Sequence, residues 1–127
     1  LKREIATTKA PLPGGPYSQG VKTGHHIFVS GQDGIYPNGD LAGKTIAEQT
    51  KACLNNVKHI LAAAETPISN IVYVTCHLSD LSEENVQEFN QSYEDFFKDI
   101  EVKPARITVG SQLLDGKVEI SAIALRY

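Results

Sequence analysis

The sequence predicts one α+β domain spanning residues 1–127, with two helices laid across one face of a sheet of five or six strands. Three features predict it. A capping box at Thr45–Glu48 opens an apolar stripe at helical spacing, a second stripe follows Ser82, and runs of β-branched residues lie on either side of both. A chain of 127 residues can bury a core of its own without disulfides or metal.

Taken in order, Leu1 to Ala10 alternates weakly and places Ile5 in an edge strand. Pro11, Leu12, Pro13, Gly14, Gly15 and Pro16 then make a loop that leads directly into Tyr17, Ser18 and Gln19. Such an approach fixes chain direction outside helix or sheet, so it either aims the Tyr17 phenol at a site or lays it over an edge of the core. His26 to Ser30 is a strand ended by Gly31, Gln32, Asp33 and Gly34. Gly31 marks either a bulge or a place where a ligand comes close to the backbone. Ile35 to Leu41 is a second reversal, turning at Pro37, Asn38 and Gly39.

In the first helix Ile46, Cys53, Leu54, Val57, Ile60, Leu61 and Ala64 form one apolar stripe, and Thr66, Pro67 and Ile68 end it. Asn56, beside Val57, is expected to face solvent or to make a local hydrogen bond. Ser69 to Leu78 is a strand, apolar or aromatic on both faces. Ser82 caps a second helix whose inner face is Val86, Phe89, Tyr93, Phe96 and Phe97. Asn90 either sits on that helix's surface or reaches the sheet edge.

The last two strands flank Asp115 and Gly116, a dipeptide suited to a tight turn, so an antiparallel hairpin is expected. Alternation puts Arg106 and Thr108 on one face, Ile107 and Val109 on the other. The hairpin would set Arg106 and Glu119 on neighbouring strands. That makes either an ordinary surface ion pair or an anion site with a carboxylate beside it. Ile71, Tyr73, Ile123 and Leu125 make the sheet's second face partly apolar, a face expected to be buried against copies of the same chain.

Charge and composition exclude several functions. Twelve Lys and Arg against fifteen Asp and Glu give a net charge of −3, and the basic residues form no run, which argues against nucleic-acid binding. Cys53 and Cys76 have no CxxC spacing and lie in apolar segments, as buried thiols of a reducing compartment do, so a cytoplasmic location is expected, with a mitochondrial one left open. His25, His26, His59 and His77 lack metal-ligand spacing, and no metal site is expected. No apolar run has membrane-spanning length. The chain begins at Leu1 without Met, which leaves room for a targeting segment ahead of it.

Gly15, Pro16, Tyr17, Ser18, Gln19, then Ser30, Gly31, Gln32, then Asn56, then Phe89 to Tyr93, and finally Pro104, Ala105, Arg106 with Val118, Glu119, Ile120 resemble the RidA/YjgF family in the right order over nearly the whole chain. The resemblance implies a chorismate-mutase-like fold of the trimeric type, with a mixed sheet, and a homotrimer with sites in clefts between subunits. It implies hydrolysis of reactive 2-enamine and 2-imine acids such as 2-aminoacrylate to 2-keto acids and ammonia. By position it makes Arg106 the carboxylate-binding residue, Glu119 the water-handling one, and Tyr17, Ser30, Gly31, Asn90 and Thr108 the pocket. Many relatives carry Cys where this chain has Thr108, which rules out a thiolate role here. Ile107 is bulkier than the usual small residue, and the connection from Gly110 to Gly116 is shorter, with Leu114 in place of a common Pro. A free imine is already electrophilic, so the chemistry calls for no cofactor. Two rival functions are an endoribonuclease, as some relatives are labelled, and a non-catalytic trimer that binds small acids.

Overall fold

The structure, a computed structural model, describes residues 1–127. Its strands are β1 (Lys2–Ile5), β2 (Gly20–Thr23), β3 (His26–Asp33), β4 (Ile71–Leu78), β5 (Ala105–Gly110) and β6 (Val118–Leu125), and its helices α1 (Ile46–Ala63) and α2 (Glu83–Phe96). They form one six-stranded sheet in the order β1-β2-β3-β6-β4-β5, antiparallel throughout except for the parallel pair β4–β5. A parallel pair needs a crossover connection, and α2 supplies it.

The expected β5–β6 hairpin does not form. Gly116 does turn the chain at φ +77, but β4 lies between the two strands, pairing with β5 on one side and β6 on the other. Arg106 is opposite Val74 and Glu119 is opposite His77, so they are not cross-strand neighbours. β2 was not foreseen, because Gly20 to Thr23 holds one large apolar residue; it is fixed by pairing with β1 and β3 on either side.

Helix α1 begins as its capping box requires: the Glu48 N–H donates to the Thr45 hydroxyl, and the Thr45 N–H donates back to the Glu48 carboxylate. The Thr45 hydroxyl, and then the Thr45 and Lys44 N–H groups, donate to the Glu48 carboxyl and hold it below its ordinary range. The helix buries Ile46, Cys53, Leu54, Val57, Ile60 and Leu61 against Val118, Ile120, Ala122 and Ala124 of β6 and Ile27 and Val29 of β3. Phe89, Tyr93 and Phe97 extend this core over Val74, Cys76 and Leu78.

Asn56 does not face solvent. It is buried, and its amide donates to the carbonyls of Ile35 (2.9 Å) and Asp33 (3.4 Å), tying the reversal after β3 to the helix. Its loss leaves two part-buried carbonyls short of a donor, so Asn56→Ala is expected to destabilise the chain by about 1–3 kcal/mol. Urea denaturation checks this; an unchanged midpoint would show that the tie carries no stability.

The other face of the sheet has no helix, and its side chains fall into three cross-strand rows. The register opposes Phe28 to Ile123 and Ile123 to Tyr73, an apolar row. Thr75 and Ser121, hydrogen-bonded through their hydroxyls, form the middle row. Asp33, Glu119 and His77 form the third. Ile71, expected on this open face, is buried on the other side: the register shift between Ile71 and Tyr73 turns it inward opposite Ala124. No helix is long and apolar enough to cross a membrane.

Candidate functional site

The expected site residues separate into two groups on opposite faces of the sheet. Arg106 projects from the edge strand β5 on the helix side, where its guanidinium lies 4.7 Å from the ring centre of Tyr93 and 5.2 Å from that of Phe89. Asn90 reaches the sheet edge and accepts a hydrogen bond from the same guanidinium. Thr108 follows on the same face, opposite Cys76. Asn90, Tyr93, Lys103 and Arg106 line a cavity of about 380 Å³. Arg106 has no carboxylate within ion-pair distance; the chain's one ion pair joins Arg126 to Glu65. Lys103 is spoken for, its ammonium donating to the carbonyl of Phe97 at 2.7 Å and to that of Ile100. The guanidinium is therefore held by two rings and one amide, with donors left over and no acid in ion-pair contact, although Glu94 lines the same cavity.

Tyr93 was read from sequence only as core. Its ring supports Arg106, and its buried hydroxyl has no hydrogen-bond partner. Burial, with Cys76 nearby, pushes that phenol up to about 12. The signal was its spacing, three residues after Asn90 and four after Phe89, which stacks all three toward β5.

The second group gathers at the end of β3. The ladder shifts register between Val29 and Gln32, so Gly31 sits in a bulge, one of the two roles its position allowed. It also permits close approach. A Cβ at residue 31 would fall 2.6 Å from Glu119 Oε2, so only glycine lets that carboxylate lie over the strand. Tyr17, half-exposed, shares a cavity of about 470 Å³ with Gln19, Gly31, Asp33, Leu114 and Asp115.

Local hydrogen bonds explain how Tyr17 is held there. The Ser30 hydroxyl donates to the Ser18 carbonyl at 2.6 Å, and the Ser30 N–H donates to the Gln19 carbonyl at 2.9 Å. Ser30 thus fastens the loop to β3. Gln19 is buried, donates to the carbonyls of Thr7, Ala10 and Pro11, and accepts from the Thr7 N–H, stapling the Pro-rich segment that leads to Tyr17. The Gly14 N–H donates to the Tyr17 hydroxyl at 3.2 Å.

Asp33 was not among the expected site residues. It lies directly opposite Glu119 in the β3–β6 register, and burial, followed by the Glu119 carboxyl and the charge of Asp115, pushes it up to about 6. Both thiols are buried and unpaired with each other. Burial raises Cys76 to about 12 and Cys53 well above its ordinary value, which leaves neither available as a thiolate.

The fold and these residues define a class: a mixed sheet backed by two helices, carrying a guanidinium outside any ion pair at one edge and a carboxylate over a glycine bulge on its open face. A family model described as endoribonuclease L-PSP matches residues 7–126, and the chain belongs to that family, the RidA/YjgF family. It is 44% identical over 126 residues to a RutC family protein of Aquifex aeolicus, covering 98% of this chain and 99% of that protein. It is 35% identical over 127 residues to the 2-iminobutanoate/2-iminopropanoate deaminase of Homo sapiens, covering 99% and 91%. Among solved structures, Escherichia coli TdcF with bound serine superposes with a TM-score of 0.91 at 35% identity, covering 98% of this chain and 99% of that one. The YjgF gene product of E. coli superposes with a TM-score of 0.91 at 39% identity, with the same coverage. The chorismate-mutase-like fold implied by the sequence is the one present.

Proposed function

We propose that the chain hydrolyses 2-imino acids and their enamine tautomers to 2-keto acids and ammonia. The observation that carries this reading is Arg106, partly buried on two aromatic rings, with Asn90 as its one side-chain hydrogen-bond partner and no acid within ion-pair distance. A planar guanidinium in that state matches a small carboxylate, which it can grip with two parallel bonds. The similarity to 2-iminobutanoate/2-iminopropanoate deaminases supports the same substrate class.

Water must reach the C=N carbon of the held acid, and Glu119 is the group that orients it and takes its proton. Glu119 cannot do so for an acid held by Arg106 of its own chain. β4 separates their strands, by roughly 10 Å at ordinary strand spacing, and the two side chains leave opposite faces. A second copy resolves this. If the β5 edge of one chain meets the open sheet face of the next, Arg106 and Thr108 of the first face Gly31, Tyr17 and Glu119 of the second, and three such steps close a ring. The same contact covers Phe28, Tyr73, Ile123 and Leu125, which a single chain leaves partly exposed. The homotrimer with intersubunit sites is part of this proposal.

The assay couples the protein to an imine-producing dehydratase or amino-acid oxidase and follows 2-keto acid release against semicarbazide trapping. Faster keto-acid release in wild type than in Arg106→Ala supports the proposal; equal rates reject it. Gly31→Ala is expected to fold normally, because the Glu119 carboxylate can swing aside. It should still lose about tenfold or more in kcat/KM by displacing the water-handling group, a loss of about 1.4 kcal/mol. Thermal denaturation beside the assay checks both halves. RNA cleavage, suggested by the family model's description, fits poorly with a net charge of −3 and an acidic row on the open face.

A further inference from the structure

Asp33 has no part in the mechanism above, yet it stands directly across the β3–β6 ladder from Glu119, on the same face, with both carboxyl groups in hydrogen-bond reach of each other. Like charges set opposite one another in a sheet repel, and a sequence under no further constraint would not place them there. No cation relieves the pair, since neither residue belongs to an ion pair. The groups that face it are His77 from β4, in the next position of the same cross-strand row, and Asp115 from the turn before β6. Cys53 of α1 lies near from the other side of the sheet, but its thiol is buried and un-ionised. His77 is occupied, its Nδ1 2.7 Å from the Ser111 hydroxyl. Two carboxyl groups in contact, half-buried and without a counter-ion, can satisfy each other only by sharing a proton.

We infer that Asp33 is a positioning residue for imine hydrolysis, joining Glu119 in a carboxyl pair that shares the proton taken from water and holds it more tightly than a lone glutamate would. This rests on the function proposed above and goes beyond it. A lone carboxylate is a weak acceptor for a proton leaving water, and a general base works best when its titration approaches the working pH. Burial of Asp33, and then the Glu119 carboxyl set against it, raise the Asp33 side of the pair toward that range.

For an imine protonated on nitrogen, the water oxygen bonds to the C=N carbon while its proton passes to the pair. That same proton, held between the two carboxyls, then goes to the amino nitrogen of the tetrahedral adduct. The C–N bond breaks with its electron pair on nitrogen, ammonia leaves, and the adduct's hydroxyl proton is released to solvent as the ketone forms. The pair ends as it began. The juxtaposition of the two carboxyls rests on β3 and β6 alone, so it is present whether or not the neighbouring copy is in place.

Two measurements on the protein and its Asp33→Asn and Glu119→Gln variants test this. The first is a carbon-13 NMR titration of the side-chain carboxyls, which needs no turnover. In wild type Asp33 is expected to titrate near 6, and in Glu119→Gln it should return toward the ordinary carboxylate range. Asp33 titrating in the ordinary range in wild type, or unmoved by Glu119→Gln, overturns the inference whatever the activity. The second is the pH profile of kcat/KM. Wild-type kcat/KM should rise as pH is raised through the pair's titration; in Asp33→Asn this limb should move to lower pH, with the plateau near neutrality about fivefold lower or more. A plateau that drops while the limb stays in place means Asp33 is structural, and the inference falls. A coupled titration in a wild-type chain with no imine turnover overturns the proposed function, and with it the catalytic use of the pair.

Discussion

Arg106→Ala is expected to lower kcat/KM for imine hydrolysis at least about a hundredfold. Hydrogen bonds to a charged group contribute about 1.5–3 kcal/mol each, so loss of a two-bond carboxylate grip removes about 3–6 kcal/mol, and 1.4 kcal/mol is a factor of ten. The guanidinium touches little else that the fold depends on: it rests on the faces of Tyr93 and Phe89 and donates to Asn90 at the sheet's edge. Arg106→Lys should be nearly as poor, because an ammonium keeps the charge but neither the two-pronged geometry nor the flat contact with Tyr93. The pair of variants separates charge from shape. Steady-state kinetics of both, with circular dichroism to confirm folding, is the check, and a Lys variant within a few-fold of wild type would mean that charge alone suffices.

Glu119→Gln is expected to cost about a hundredfold in kcat while changing KM little, the range general-base catalysis supplies. The amide fills the space over Gly31 and keeps a hydrogen-bonding oxygen, yet it cannot accept the proton that attacking water must lose. It also removes the repulsion facing Asp33, so this variant should be no less resistant to denaturant than wild type above pH 6, where both carboxyls of the pair are charged. The sign follows from burial and repulsion raising Asp33: the folded wild type holds its proton more tightly than the unfolded chain, and so loses stability as pH rises from about 4 to about 6. Full imine hydrolysis by Glu119→Gln would remove Glu119 from the mechanism and leave a small-acid-binding protein as the better account.

What could be read from the sequence was local. The Thr45 to Glu48 capping box, the stripe through Leu61 and the Ser82 cap depend on neighbours within a turn or two, and they stand as expected. The Gly31 bulge and the reversal at Gly39, where φ is +95, are backbone events that glycine announces. Strand order is not local. Asp115 and Gly116 signal a turn, but no residue near them says that β4 will lie between the strands they connect. The same limit governs the site. Arg106 and Glu119 stand out in the sequence as side chains able to act, while their placement on opposite faces follows from pairing with a strand some thirty residues away from the nearer of them. Asn56 and Gln19 show the reverse case: polar residues with no legible role, whose partners are backbone carbonyls of loops that only the folded chain brings near. Ile71 was assigned to the wrong face because strict alternation takes no account of a register shift one residue later.

Because Arg106 and Glu119 cannot serve one site within a single chain, two inactive variants should repair each other. Arg106→Ala and Glu119→Gln, differently tagged and co-expressed, form mixed rings in which some sites take an intact Arg106 from one copy and an intact Glu119 from the next. In a mixed ring of three, whichever variant is present twice, that holds for about a third of the sites. The measurement is kcat/KM of the doubly tagged oligomer, purified through both tags in turn. The account predicts recovery to a sizeable fraction of wild type, far above either variant alone; activity that stays at the level of the single variants in a confirmed mixed oligomer contradicts it.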